Sequence, residues 1–210
     1  MNIHCGGAVV VVALVASGTA VSACGTGKVV FSDSFDTLNQ TTWGAVDDHM
    51  RVANGAMTID EQDGKFYALY AEPVFRGVDY CANVTLNDSS DIPSSYGGVS
   101  FWMRSPNDFY AFEITLDGYA TVYRYNGTWT SLIDDRAFAA IKQGVGAVNE
   151  LRVVTKGPNA TFYVNDQKFD VISDKTVPGS SQVGMVVEAP KNGHAAFAFD
   201  DTVVHEVATN

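Results

Sequence analysis

Gly97-Gly98-Val99-Ser100-Phe101-Trp102-Met103-Arg104 is followed by Ser105-Pro106-Asn107, then by Asp108-Phe109-Tyr110-Ala111-Phe112-Glu113-Ile114 and, after Thr115, by Leu116-Asp117-Gly118. Large apolar residues alternate with small or polar ones in both runs, which is the period of a strand with one face against a core. Reading Asp117-Gly118 as a tight hairpin turn pairs Leu116 with Tyr119, Ile114 with Thr121, Phe112 with Tyr123 and Tyr110 with Tyr125, because opposed residues share a face. A loop from Ser105 to Asp108 pairs Arg104 with Phe109 and Trp102 with Ala111. One face then collects Val99, Phe101, Met103, Tyr110, Phe112, Ile114, Thr121 and Tyr123, and this face is the expected core. The other collects Ser100, Trp102, Arg104, Phe109, Ala111, Glu113, Val122 and Arg124.

The same alternation continues on either side. Strands are predicted near 29–35, 50–52, 56–59, 65–71, 78–86, 98–104, 109–116, 119–125, 129–133, 150–155, 161–164, 183–188 and 195–207. Asn54-Gly55, Asp117-Gly118, Asn126-Gly127 and Asn165-Asp166 punctuate them with residues that tolerate positive φ in hairpins. No segment carries the apolar period of a helix. Many short strands joined by frequent turns predict an all-β, antiparallel two-sheet sandwich. The composition agrees: 46% hydrophobic, 11% aromatic and 19 glycines suit one large β domain rather than a disordered chain.

Charge narrows the partners. Lys and Arg number 13 against 24 Asp and Glu, a net of −11, and none of these residues falls among the first 23. An acidic body is repelled by phosphate backbones and anionic headgroups, so nucleic acid is excluded as a partner, while neutral ligands and divalent cations are permitted. There is no nucleotide loop, serine nucleophile elbow, Cys-x-x-Cys pair or zinc-ligand spacing; His4, His49, His194 and His205 are scattered.

The stretches quoted above, together with Asn149-Glu150-Leu151-Arg152-Val153, Phe162-Tyr163-Val164-Asn165, Val183-Gly184-Met185 and Phe199-Asp200-Asp201, occur in the order shown by laminin G-like and 3-keto-disaccharide hydrolase-like domains. From Val29 to Val207 the chain resembles the concanavalin A-like lectin/glucanase superfamily. That resemblance implies a jelly-roll sandwich and a carbohydrate partner. It also implies a structural Ca²⁺ where the first and last strands meet, for which Asp33 and Asp36 early and Asp200 and Asp201 late offer hard oxygen donors.

On the predicted outer face, Trp102, Arg104, Glu113 and Arg124 are the candidate ligand-binding residues. The apolar face of a pyranose would stack on the indole while guanidinium and carboxylate groups bond its hydroxyls. Retaining glucanases of the superfamily carry Glu-x-Asp-x-(x)-Glu on one strand, and the closest approach here, Glu113-Ile114-Thr115-Leu116-Asp117, has Thr115 in place of the middle carboxylate. The expectation is therefore a carbohydrate-recognition or surface-interaction domain without catalysis. The alternative is a glycoside hydrolase of the 3-keto-disaccharide hydrolase-like kind, with Glu113 as its acid. A structural envelope protein is the third reading.

Ala8 to Ala16 form an apolar run too short to span a bilayer and right for a bacterial signal peptide, although the preceding residues hold no Lys or Arg. Val21-Ser22-Ala23-Cys24 fits two fates. It resembles a lipobox, in which Cys24 is lipidated and tethers the protein to a membrane; it also fits ordinary cleavage, after which Cys24 and Cys81 could pair in an oxidising compartment. The expected layout is a signal peptide over 1–23, a short linker over 24–28 and the jelly roll over 29–207. The expected location is exported: periplasmic, outer-membrane lipoprotein or secreted.

Overall fold

The computed structural model describes residues 24–207, so the signal-peptide expectation for 1–23 lies outside the described residues. Fourteen strands follow in chain order: β1 (Val29–Asp33), β2 (Met50–Ala53), β3 (Ala56–Gln62), β4 (Phe66–Tyr70), β5 (Val78–Ser89), β6 (Tyr96–Ser105) and β7 (Asp108–Thr115). Then come β8 (Tyr119–Tyr125), β9 (Trp129–Ala137), β10 (Val148–Lys156), β11 (Asn159–Val164), β12 (Gln167–Ser173), β13 (Gln182–Glu188) and β14 (His194–Glu206). The sequence reading missed β12, and it missed a single helical turn, α1 (Gln40–Trp43), whose N-terminus is capped by the Asn39 side chain. Among the described residues no helix is long and apolar enough to cross a membrane.

The strands form two sheets with antiparallel pairing throughout. One runs β12-β11-β10-β5-β14-β3-β2, with β1 beside the far part of β14; the other runs β4-β13-β6-β7-β8-β9. The core between them is rich in aromatic rings. Phe112 lies 5.0 Å from Phe162 and 5.8 Å from Phe169 between ring centroids, and Phe101 lies 5.4 Å from Phe162. Tyr80 is fully buried and donates its hydroxyl to the Gly184 carbonyl of the opposite sheet at 2.9 Å. Apolar burial on this scale supplies most of the driving force for closing a sandwich.

Two details of the predicted pairing are corrected. The β7–β8 turn uses Leu116, Asp117 and Gly118: Gly118, at φ 107°, donates its N–H to the Thr115 carbonyl, and Thr115 pairs with Tyr119. Ile114 therefore opposes Ala120, Glu113 opposes Thr121 and Phe112 opposes Val122. A one-residue slip exchanges the faces of a strand. Val122 and Arg124 thus turn to the core side, while Thr121 and Tyr123 turn outward. The second correction is a bulge in β6. Phe101 pairs with Tyr110 and Ser105 with Asp108, so Trp102, Met103 and Arg104 share the space opposite Phe109. Trp102 takes φ 46°, which swings its indole inward against Phe101 and sends Met103 to the outer face instead.

Two glycines set the spacing of the six-stranded sheet. A Cβ at Gly98 would strike the Phe112 carbonyl of β7, and a Cβ at Gly184 would strike the Leu69 carbonyl of β4. Neither strand could approach its neighbour so closely with a side chain there.

At the N-terminus, Cys24 is joined to Cys81 by a disulfide with 5.8 Å between Cα atoms. Of the two fates open to Cys24, lipidation and pairing with Cys81, the structure has the pairing, and a sulfur bonded to Cys81 is not available for a lipid thioether. The bond holds residues 24–28 over the outer face of the larger sheet, where Gly25 packs on Asp79 and Gly27 on the Glu206 backbone. Beneath it, Asp79 takes both hydrogen bonds of the Arg152 fork at 2.6 Å.

Candidate functional site

The outward face of the six-stranded sheet carries a second apolar cluster and a group of acidic side chains. Alternation on β7 sends Phe109, Ala111, Glu113 and Thr115 outward, and the register places Thr121, Tyr123 and Tyr125 of β8 beside them. From β4 and β9, Phe66 and Trp129 close over Phe109. Phe66 meets Tyr125 at 4.7 Å and Trp129 at 5.1 Å, edge-on in both cases, and Tyr125 meets Trp129 at 4.9 Å. Trp129, Tyr125 and Phe66 are half-buried. These rings form one aromatic cluster on the face.

Beside this cluster, with Glu188 opposite Phe66, stands an acidic group. Glu113 lies between Gly98 and Thr121 in the sheet, Glu188 is opposite Tyr96, and Asp135 accepts a hydrogen bond from the Tyr96 hydroxyl at 2.9 Å. Glu113 is fully buried and neither of its carboxyl oxygens has a partner. The neighbouring Thr121 hydroxyl is committed to the Ile133 carbonyl. Burial first, then the charges of Glu188 and Asp135, push the Glu113 carboxyl well above the usual carboxylate range. Glu188 is raised by burial and by Asp135. Tyr96 and Tyr123 are also raised, chiefly by burial, with Asp135 adding to both.

This arrangement costs stability in a pH-dependent way. The folded Glu113 carboxyl binds its proton more tightly than the unfolded one, so stability falls as pH rises from the unfolded value, about 4.3, through the folded one. Glu113→Leu should raise the unfolding free energy by about 1–3 kcal/mol near neutral pH, by removing a buried acid without a partner. Denaturant melts of both proteins across pH check this: the gain should shrink as the pH is lowered, and a gain that grows on acidification would contradict it.

The other residues singled out from sequence lie elsewhere. Trp102 is 5% exposed, inside the core, edge-on to Tyr110 at 5.1 Å; it is not an outer-face platform. Arg124 lies 5.3 Å over the Tyr110 ring and 3.8 Å from Asp174, which also accepts the Tyr110 hydroxyl at 2.6 Å. Arg104 bonds Asp108 at 2.7 Å and the Thr176 carbonyl at 3.0 Å. The structure therefore brings Trp102, Arg104 and Arg124 together around Tyr110 and the 174–176 loop, and leaves Glu113 away from them on the outer face. Phe66, Tyr96, Tyr123, Tyr125, Trp129, Asp135 and Glu188 were missed. Tyr119-x-Thr121-x-Tyr123-x-Tyr125 was the available signal, since it marks one polar-aromatic face of β8.

The first and last strands do meet, with Asp33 opposite Thr202. The four aspartates do not form a carboxylate cage, however. Asp33 is engaged by the Phe35 N–H and the Trp43 indole N–H, Asp36 by the Ser34 hydroxyl and Asp201 by the Asn83 amide. Asp200 is raised by burial and by the nearby charges of Asp201 and Asp36. Among the described residues, the one group of three such ligands within 4.8 Å of one another is Cys24, Asp79 and Cys81, where the two sulfurs are bonded together. Among the described residues, no three of Asp33, Asp36, Asp200 and Asp201 bring carboxylate oxygens within 4.8 Å of one another.

No protein-family model matches the chain, and no curated protein matches it in sequence. Solved structures do match. The carbohydrate-binding module CBM66 from Bacillus subtilis superposes with a TM-score of 0.65 at 15% identity, over 80% of this chain and 98% of that one. A β-glucanase from Bacillus licheniformis gives 0.62 at 10% identity, over 87% and 100%. The endo-β-1,3-glucanase from Pyrococcus furiosus gives 0.62 at 9%, over 88% and 96%. At these identities the likeness is one of fold, and by that fold the chain is a concanavalin A-like jelly-roll sandwich.

Proposed function

We propose that this protein binds carbohydrate on the outward face of its six-stranded sheet and does not cleave it. The observation that carries the reading is the set of half-buried rings of Phe66, Tyr125 and Trp129 lying beside hydroxyl and carboxyl groups on one open face. Rings take the C–H faces of sugars, and flanking polar groups take the hydroxyls. The fold shared with a carbohydrate-binding module and with glucanases supports the class of ligand. Against cleavage stands Glu113, whose carboxyl is sealed from solvent and so out of reach of a glycosidic oxygen. Export to the periplasm or the medium is part of the same proposal, supported by a disulfide that suits an oxidising compartment.

A second reading has one observation in its favour. Burial holds the Glu113 carboxyl above the usual carboxylate range while Glu188 and Asp135 stand nearby, and unequal carboxyl groups side by side are what the acid and base of a glycoside hydrolase need. A glycan array followed by an assay for new reducing ends separates the two. Binding without turnover is expected. Trp129→Ala should weaken that binding about thirtyfold, the loss typical of a dominant aromatic anchor, with the melting temperature recorded alongside. Turnover that disappears in Glu113→Gln would make the protein an enzyme.

A further inference from the structure

We propose that β4 is a docking edge for a second copy of this chain, and that two protomers pair their β4 strands antiparallel into one continuous sheet. The contact stands apart from whatever the outer face binds. β4 ends the six-stranded sheet and has β13 as its one neighbour. The Ala71 N–H bonds the Val183 carbonyl at 2.9 Å and the Ala189 N–H bonds the Lys65 carbonyl at 3.0 Å, which fixes the phase of the ladder. Tyr67 and Leu69 turn their backbone groups to β13, and Phe66, Ala68 and Tyr70 turn theirs to the open side. Among the described residues, no hydrogen bond reaches these open N–H and carbonyl groups. A hollow of about 470 Å³ lies beside them, lined by all of β4 together with Trp43 and Gly44.

An open edge is a template for another strand, and proteins ordinarily guard it with charge, proline or a bulge. The other edge strands carry charge: Asp33 on β1, Arg51 on β2, Arg136 on β9 and Lys168 on β12. Phe66-Tyr67-Ala68-Leu69-Tyr70 has no charge and no proline, and its register with β13 runs without a bulge.

A second copy fits this edge because the edge is complementary to itself. A two-fold axis through Ala68 sets Phe66 opposite Tyr70 of the second copy, Tyr67 opposite its Leu69 and Ala68 opposite its Ala68. Residues with open backbone groups then meet residues with open backbone groups, as a closed two-fold contact requires. Phe66 and Tyr70 meet as cross-strand ring pairs. The ends match in charge as well. Lys65 comes beside Glu72 of the second copy, and symmetry makes that pair twice; both side chains are exposed, and among the described residues neither has an ion partner in its own chain. Past Tyr70 the edge is closed, since Glu72 donates its N–H to the Thr42 carbonyl at 3.0 Å. So short a strand pair is small against the roughly 20–30 residues a side of a standard interface, and the dimer should form at about 10–100 µM. Two outer faces then lie in one sheet, and a ligand long enough to meet both gains from the second contact.

Sedimentation equilibrium of the protein from about 5 to about 500 µM tests the pairing, and a monomer–dimer equilibrium within that range is expected. Ala68→Pro removes an N–H that only the second copy would use, and an edge strand tolerates proline where that side is open. This variant should stay monomeric throughout, with the melting temperature of dilute protein unchanged. Lys65→Glu and Glu72→Lys, both at exposed positions, test the pairing without touching the strand. Each should weaken the dimer about tenfold, and the two combined should bring it back to within about threefold of the parent. A chain that stays monomeric to about 500 µM overturns the proposal. So does a dimer that Ala68→Pro and both charge reversals leave intact, and so does one that the combined exchange fails to restore.

Discussion

Trp102→Ala is expected to lower the unfolding free energy by about 3–5 kcal/mol, the range for deleting a large buried aromatic. The indole is 5% exposed and contacts Phe101 at 5.2 Å and Tyr110 at 5.1 Å between ring centroids. Its removal leaves a cavity beside the bulge that carries it and strips Tyr110, which also meets Arg124 and Asp174, of a packed neighbour. Phe112→Ala, between Phe162 and Phe169, should cost a similar amount and calibrates the measurement. Urea denaturation decides. A Trp102→Ala protein within about 1 kcal/mol of the parent, beside a severely destabilised Phe112→Ala, would return the indole to the outer face.

Removing the disulfide is expected to cost about 4 kcal/mol. Cys24 and Cys81 are 57 positions apart, and closing a loop of that length restricts the unfolded chain by about this much in the entropic account. Cys81→Ser and Cys24→Ser should be equally destabilised, and the double variant no more so than either, because all three lose the same cross-link. Residues 24–28 should become the first site of limited proteolysis in each. A lipid mass on Cys24 in protein from its native host, or a Cys81→Ser melt identical to the parent, would remove the bond from the account.

The sandwich was legible in the sequence because alternation and turn residues are local properties. Phe112 and Ile114 fall inside and Phe109, Ala111 and Glu113 outside, as the run from Asp108 to Ile114 requires. The face of β8 was not legible. Asp117-Gly118 reads as a complete turn, and nothing local says that Leu116 joins it. Trp102 failed for a related reason: Trp102, Met103 and Arg104 all fit opposite the single Phe109, and alternation does not hold inside such a bulge. The acidic cluster was beyond reach altogether. Glu113, Asp135 and Glu188 come from three strands, and only the order β13-β6-β7-β8-β9 brings them to one face. Pairing order is a long-range outcome that no window of sequence contains.

The two glycines under the outer face carry a consequence for how such a protein could change its ligand. At Gly98 the obstacle to a side chain is the backbone of the next strand, and at Gly184 it is the Leu69 backbone with the Ser100 hydroxyl beside it; a second substitution cannot trim a backbone. The floor of the outer face at these two positions is therefore a property of the sheet and is closed to mutational tuning. Novelty has to enter at the margin, through Phe66, Tyr125, Trp129 and Asp135, which stand at or near the two edge strands β4 and β9 and can be exchanged without moving a strand. A family of binders built on this chain would keep its floor and differ at its rim, and a selection for new glycans would find its productive changes there.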